Sequence, residues 1–153
     1  MGRKKKDIKV DPWTYKGNPV LTLEDFPKGT FGFIYEIEHK DTGQKYIGKK
    51  QLYSYSTKVS KTLNEKTHRW NKVREKTAKE SDWKTYFGSN IEIKDLVKKE
   101  GRDRFVRRIL QFVQDRKRLT YYELAYQCKN DVLENPNYIN SNILGKFFRS
   151  DFN

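Results

Sequence analysis

Cysteine and histidine are almost missing from this chain: of 153 residues, one is cysteine and two are histidine. Cys128 stands alone, which excludes an intrachain disulfide and a zinc site built on paired cysteines. His39 and His68 have no companion at metal-ligand spacing. No stretch approaches the roughly 20 apolar residues that a membrane-spanning helix needs, so no membrane partner is expected. Proline (4) and glycine (9) are sparse. No repeat and no Pro/Gly/Ser-rich linker divides the chain, and a single domain is expected. Negative charge is in short supply: 20 Asp plus Glu face 33 Lys plus Arg, a net charge of +13. Nothing points to an organic cofactor, and the cysteine usage fits a reducing, cytoplasmic setting.

What is plentiful is aromatic and basic. Aromatics make up 14%, too many for a disordered chain despite a mean hydropathy of −1.02. The positive field favours polyanions, with nucleic acid the usual partner. Gly2-Arg3-Lys4-Lys5-Lys6 runs into Asp7 without an apolar stretch. It is therefore either a basic arm on phosphates or a solvated tail, not a signal peptide.

Residues 31–52 carry the strongest pattern. Phe33-Ile34-Tyr35 and Tyr46-Ile47-Gly48 flank His39-Lys40-Asp41-Thr42-Gly43-Gln44. Asp, Thr and Gly form turns, and the flanks alternate apolar and polar residues as half-buried strands do. A β-hairpin that brings Tyr35 near Tyr46 follows. Upstream, residues 1–30 form a basic arm and lead-in segment with one short strand. Downstream, residues 53–82 are polar and basic, and a helix over part of them is expected, or else a solvated loop. Ser89 and Glu92 make a capping-box pattern that starts a helix ending at Gly101. Phe105 to Val113 alternates as a strand. A last helix is expected to begin at Thr120, with Tyr121, Leu124, Ala125, Cys128, Val132 and Leu133 toward the core, and to end at Asn135-Pro136. Tyr138 to Leu144 returns as a short strand, and residues 146–153 are a short tail. The fold class is α/β in the α+β sense: a short, mainly antiparallel sheet flanked by helices.

The two triplets at this spacing, with the segment Ile91 to Leu110 and the helix carrying Tyr122-Glu123, resemble the GIY-YIG nuclease family from about Phe31 to Asn142. Phe33 departs from the glycine usual in the first triplet. The resemblance implies a nuclease domain over residues 31–145, with 53–82 a basic insertion. It also implies a metal-dependent DNA endonuclease of the small, phage-encoded, homing-like type, acting in the host-cell cytoplasm. The alternatives are a catalytically inactive basic nucleic-acid-binding module, or a host-DNA-degrading or repair nuclease of the same family. The residues following Asn140 are too few for a separate DNA-reading domain, so sequence preference is expected from the N-terminal arm, the insertion or a partner.

The resemblance also assigns site residues. Tyr35 is expected to help activate the attacking water, and Lys45, Lys49 and Lys50 to lower its phenolic pKa from about 10. Tyr46 is expected to bind the scissile phosphate or orient the water. Glu123 is expected to hold Mg²⁺, or another divalent cation such as Mn²⁺, since magnesium needs only one or two carboxylates. The pattern Thr120-x-x-Glu123 is equally a capping box. Asn140 is expected to support the site by hydrogen bonding, with Asn142 close enough to take its place. The family's catalytic arginine has no counterpart before Arg69, which leaves Arg69 or Arg74, with Lys50 as the substitute cation. Lys45, Gly48, Lys49, Lys50, Lys58, Lys72 and Tyr86 are the expected DNA contacts.

Overall fold

Two strands, β3 (Gly32–His39) and β4 (Lys45–Gln51), form the expected hairpin, with Gly32 to Tyr35 and Tyr46 to Gly48 buried on both faces rather than alternately. His39 closes its turn: Nδ1 accepts from the backbone N–H groups of Asp41 and Thr42 at 3.1 and 3.2 Å. Gly43 takes φ 71°, where a Cβ is disfavoured. The computed structural model describes residues 10–153, and the basic run Gly2–Lys6 lies outside the described residues.

The hairpin is one edge of a five-stranded sheet. Strand β7 (Phe105–Val113) pairs antiparallel with β3, and β1 (Trp13–Tyr15) pairs parallel with β7. Strand β2 (Asn18–Val20) forms the far edge, giving the order β2-β1-β7-β3-β4. The lead-in thus contributes two strands to the same sheet. The β3–β7 register shifts between Ile34 and Tyr35, a bulge beside the first tyrosine of the hairpin.

Each face of the sheet buries its own core. On one face Trp13, Phe33, Tyr35, Trp83 and Phe105 pack with Ile93 of helix α1 (Ile91–Glu100). On the other, Ile34, Ile47 and Val113 pack with Leu119 of helix α2 (Arg116–Lys129). Among the described residues no helix is long and apolar enough to cross a membrane.

Several expectations change, among them the end of the last helix, which stops at Lys129, six residues before Asn135. Residues 53–82 form no helix but a long antiparallel ribbon, β5 (Tyr53–Asn64) with β6 (Arg69–Glu80). Its alternation of Tyr, Thr and Val with polar residues favours strand over helix. Helix α1 is capped by Asn90, whose Oδ1 accepts from Glu92 N at 2.7 Å, rather than by Ser89. Helix α2 starts four residues before Thr120, because Asp115 Oδ1 accepts from Arg118 N at 2.7 Å and caps it there. Glu123 therefore lies in the body of the helix, and Thr120 does not cap it. The inward face of α2 carries Leu119, Glu123 and Gln127 at i, i+4, i+8, while Tyr121 and Cys128 are exposed.

The expected tail is also built in. Asn142–Ile143 (β8) pairs with Phe147–Phe148 (β9). The Arg149 guanidinium donates to the carbonyls of Val132 (2.6 Å), Asn135 (3.3 Å), Tyr138 (2.5 Å) and Asn140 (3.0 Å). Arg149 thereby fastens the segment after α2 to itself. Hydrogen bonds from charged donors contribute about 1.5–3 kcal/mol each when removal leaves an acceptor unpaired. Arg149→Ala should therefore destabilise the fold by roughly 2–4 kcal/mol in urea unfolding with an unchanged m-value. A loss below about 0.5 kcal/mol would show that the latch carries no stability.

Candidate active site

Strand β4 has no strand neighbour on its outer side, and the chain after α2 covers that edge. Lys45 N donates to Asn137 O at 2.8 Å and Ile139 N to Lys45 O at 2.7 Å, a short parallel pairing around Tyr138. One rung further the Asn140 side chain takes the place of a strand. Ile47 N donates to Asn140 Oδ1 at 3.1 Å, and Asn140 Nδ2 donates to Ile47 O at 2.8 Å. Gln127 of α2 donates to the same carbonyl at 3.1 Å. Asn140 is buried. Asn142 instead accepts from Gly145 N at 3.0 Å and supports a turn.

Where this cover ends, a cleft of about 620 Å³ opens, walled by Tyr46, Lys49, Lys50, Tyr86 and Glu123, with Ser89 and Asn90 at its rim. Strand alternation sends Tyr46 and Lys50 to one face of the sheet and Lys49 to the other. Lys49 Nζ lies 3.7 Å from Glu123 Oε1 and donates to Thr120 Oγ1 at 2.9 Å. Lys50 Nζ lies 2.5 Å from Asp82 Oδ1 and 4.0 Å from the Tyr86 ring centroid. Burial raises the Glu123 carboxyl above its ordinary value, and Lys49 pulls it partly back. Burial also raises the Tyr46 phenol, against the opposing pull of Ser89.

Tyr35 lies behind this wall rather than in it. Its ring is 6.2 Å from that of Tyr46 and 5.8 Å from that of Tyr86, and it has no exposed surface. Its hydroxyl is buried and completes no hydrogen bond of good geometry, with the Tyr86 phenol as its polar neighbour. A Cβ on Gly48 would stand 2.5 Å from that oxygen, so glycine is what lets the strand close over it. Burial, reinforced by the neighbouring Tyr46 and Tyr86 phenols, pushes Tyr35 well above the usual phenol range. The expected lowering by lysines is thus reversed. Lys45 pairs with Glu36 at 4.0 Å, while Lys49 and Lys50 are engaged with Glu123 and Asp82.

The structure does not bring the two arginines to the cleft. Both stand exposed on the ribbon. Arg69 is opposite Asn64 at its tip, and Arg74 is opposite Val59. At about 3.3 Å per residue, the positions six and eleven residues from Glu80 lie roughly 20 and 36 Å out along the strand. Lys58 and Lys72 are also on the ribbon. The cations at the cleft are Lys49 and Lys50.

A buried arginine that the sequence reading passed over supports the other wall. Arg107 donates to the carbonyls of Lys84 and Tyr86, both at 3.0 Å, and its guanidinium stacks between Trp13 and Phe87. Burial brings its pKa down to about 10. The signal was present, because Arg107 falls on the core-facing side of β7 with Phe105 and Ile109. Gln127 left no comparable trace, as an amide on a helix face has no periodic signature.

Over residues 13–143 the chain matches the family model described as "Putative endonuclease segE, GIY-YIG domain". The chain therefore belongs to the GIY-YIG endonuclease family. No curated protein and no solved structure matches it.

A buried phenol that completes no hydrogen bond of good geometry adds little to the fold that keeps it. Tyr35→Phe should leave stability unchanged or raise it by about 1 kcal/mol, since it deletes an unsatisfied polar group and keeps the ring. Gly48→Ala should cost about 1–3 kcal/mol by overpacking. Thermal and urea unfolding check both. A clear destabilisation by Tyr35→Phe would mean that the hydroxyl is partnered.

Proposed function

We propose that this protein is a divalent-metal-dependent DNA endonuclease hydrolysing phosphodiester bonds, with a phage-encoded, homing-type role as its biological setting. One observation carries the reading: a half-buried carboxylate, two lysines and two phenols meet at the open end of one strand edge.

The donor set fits a hard cation. Among the described residues no three His, Cys, Asp or Glu cluster together, which rules against an all-protein cage there. A single carboxylate facing a roomy cleft suits Mg²⁺, which keeps most of its ligands as water and phosphate oxygen. Glu123 would hold it, and the bound cation would supply Lewis-acid stabilisation of phosphate charge.

The remaining chemistry falls to the side chains. Lys49 and Lys50 stand at the cleft's two sides and neutralise charge on the non-bridging oxygens, the work expected of an arginine. An ammonium does this as a point charge, without the bidentate geometry of a guanidinium. Tyr46, kept protonated by its raised pKa, donates a hydrogen bond to the phosphate or orients the water. Tyr35 acts through its neighbours as a positioning residue, its ring fixing Tyr46 and Tyr86. Asn140 and Gln127 hold the strand on which Tyr46, Lys49 and Lys50 ride. The nuclease domain includes residues 31–145, with 53–82 as its insertion.

Glu123→Gln should abolish Mg²⁺- or Mn²⁺-dependent plasmid cleavage while leaving DNA affinity within a few-fold. It should also change stability in a signed way. The folded state keeps the Glu123 proton to higher pH than the unfolded chain, whose carboxyl titrates near 4.5. Metal-free stability therefore falls as pH rises through that window, and Glu123→Gln removes the fall. Binding without cleavage by the wild-type protein under any divalent cation would overturn the proposal in favour of an inert binding module.

Lys49→Ala and Lys50→Ala should each lower the single-turnover rate by about 10²-fold or more. Arg69→Ala and Arg74→Ala should leave that rate within a few-fold at saturating DNA. The opposite ranking would return the catalytic cation to the ribbon.

A further inference from the structure

The ribbon β5–β6 is exposed along its length yet sided, chiefly in its apolar residues. Cross-strand partners share a face, and successive pairs alternate faces. From base to tip, one face carries Tyr53–Glu80, Tyr55–Ala78, Thr57–Lys76, Val59–Arg74, Lys61–Lys72 and Leu63–Trp70. These six pairs hold four cations and one acid, Glu80, which sits at the base, accepts from the Trp83 indole N–H and pairs with Lys84. The opposite face carries mainly hydroxyl and amide groups, with Lys58 set directly across from Glu75, two further cations at its ends (Lys79 and Arg69), and Val73 as its large apolar residue. The first face also keeps large apolar side chains in water: Tyr55, Val59, Leu63 and Trp70 are 50%, 54%, 47% and 65% exposed.

We propose that this basic–apolar face is a duplex-DNA contact surface that lies in a groove beside the cleft. The inference rests on the reading of the cleft as a DNA-cutting site and adds where the flanking duplex is held. Charge complementarity selects the occupant, because a face whose four cations outnumber its one acid at the base matches a polyanion better than it matches a second copy of itself. Dimensions agree. Twelve residues per strand extend about 40 Å, slightly more than one turn of B-DNA, and the major groove admits a two-stranded ribbon. Continuity agrees as well. Strand β5 follows β4 after Leu52, and Tyr53 and Ser54 line the cleft at the ribbon's base.

The base is fixed to the domain. Leu52 and Trp83 bracket the ribbon and are buried. Ser81 N donates to Leu52 O at 2.8 Å, and Ser81 Oγ donates to Gln51 O at 2.6 Å. Tyr55 stacks on Phe31 at 5.9 Å with a 9° interplanar angle. The ribbon therefore leaves the domain in a set direction and carries its cations away from the cleft in one line.

The test pits one face against the other in the full chain. Two double variants remove two cations each: Lys72→Ala/Arg74→Ala on the proposed face and Lys58→Ala/Lys79→Ala on the opposite one. Binding to a duplex of about 25 base pairs is followed by anisotropy in EDTA, so that cutting plays no part. The first pair should weaken binding at least tenfold and reduce the slope of log K against log salt by roughly 2. The second should stay within twofold. Equal losses from the two pairs would reduce the effect to net charge and overturn the proposal, as would no loss from either. Trp70 gives an independent readout, since Trp13 and Trp83 are 1% and 0% exposed. Duplex DNA should shield Trp70 fluorescence from acrylamide, and unshielded Trp70 in saturated complex refutes the groove contact. Shielding that grows with protein concentration without DNA would assign the face to a second copy instead. Plasmid cleavage with Mg²⁺ is scored separately. Loss of the cleavage reading with the face-specific binding intact would leave a DNA-binding ribbon on an inert domain.

Discussion

The backbone of Ile47 is the point on which this site depends. It lies on an edge strand, where an unpaired N–H and C=O invite either water or another strand. Here the residue is fully buried, and each buried backbone group left unsatisfied costs about 1–3 kcal/mol. The Asn140 amide satisfies both, and Gln127 adds a second donor to the carbonyl. That pairing also sets the register of helix against strand. Four residues of helix rise about 6 Å and two residues of strand about 6.6 Å. With Gln127 held at Ile47, the residue four back, Glu123, faces the residue two on, Lys49. The carboxylate–lysine pairing in the cleft is thus a consequence of a hydrogen bond one step away from it.

The opposite wall is set by packing instead of polar pairing. Tyr35 fills the space that Gly48 leaves empty, and its ring backs both Tyr46 and Tyr86. Arg107 holds the carbonyls of Lys84 and Tyr86 from below, and Lys50 lies over the Tyr86 ring from the cleft side. A buried cation satisfied mainly by carbonyls and aromatic faces is costly to place. What it gives is a fixed direction for one partly buried phenol. The two walls meet along β4, whose alternation assigns Lys49 to the helix side and Lys50 to the aromatic side, and again where Asn90 Nδ2 donates to Ser141 Oγ at 2.9 Å.

The parts legible in sequence were those with local signals. The hairpin, strand β7 and the Gly101 helix stop each follow from alternation or a turn residue, and all three stand where expected. The start of α2 was missed because two capping patterns compete within a few residues. Asp115 prevails since it leaves Arg116, Lys117 and Arg118 as an exposed first turn. Its inward face was misread because two of its three positions, Glu123 and Gln127, are polar, so apolar periodicity points elsewhere. The latch of Arg149 on four carbonyls is invisible to any pattern, since those acceptors are backbone. The ribbon was missed for a different reason. Strand alternation normally means half-buried, and neither face of this ribbon is buried, so charge density overrode the period.

That last point bears on why such a ribbon exists. An isolated two-stranded hairpin is marginally stable in water, and this one leaves large apolar side chains exposed along its length. Its order comes from the base, where Leu52 and Trp83 are buried and Ser81 closes the first rung. Further out, the sided pairing of apolar and basic residues gains little from solvent alone. Such a face gains most when its apolar side chains are covered while its cations meet fixed negative charge. A nucleic-acid groove offers both at once, sugar and base edges between two rows of phosphates. On the proposed reading of the cleft, the chemistry at the ribbon's base would use one of those phosphates.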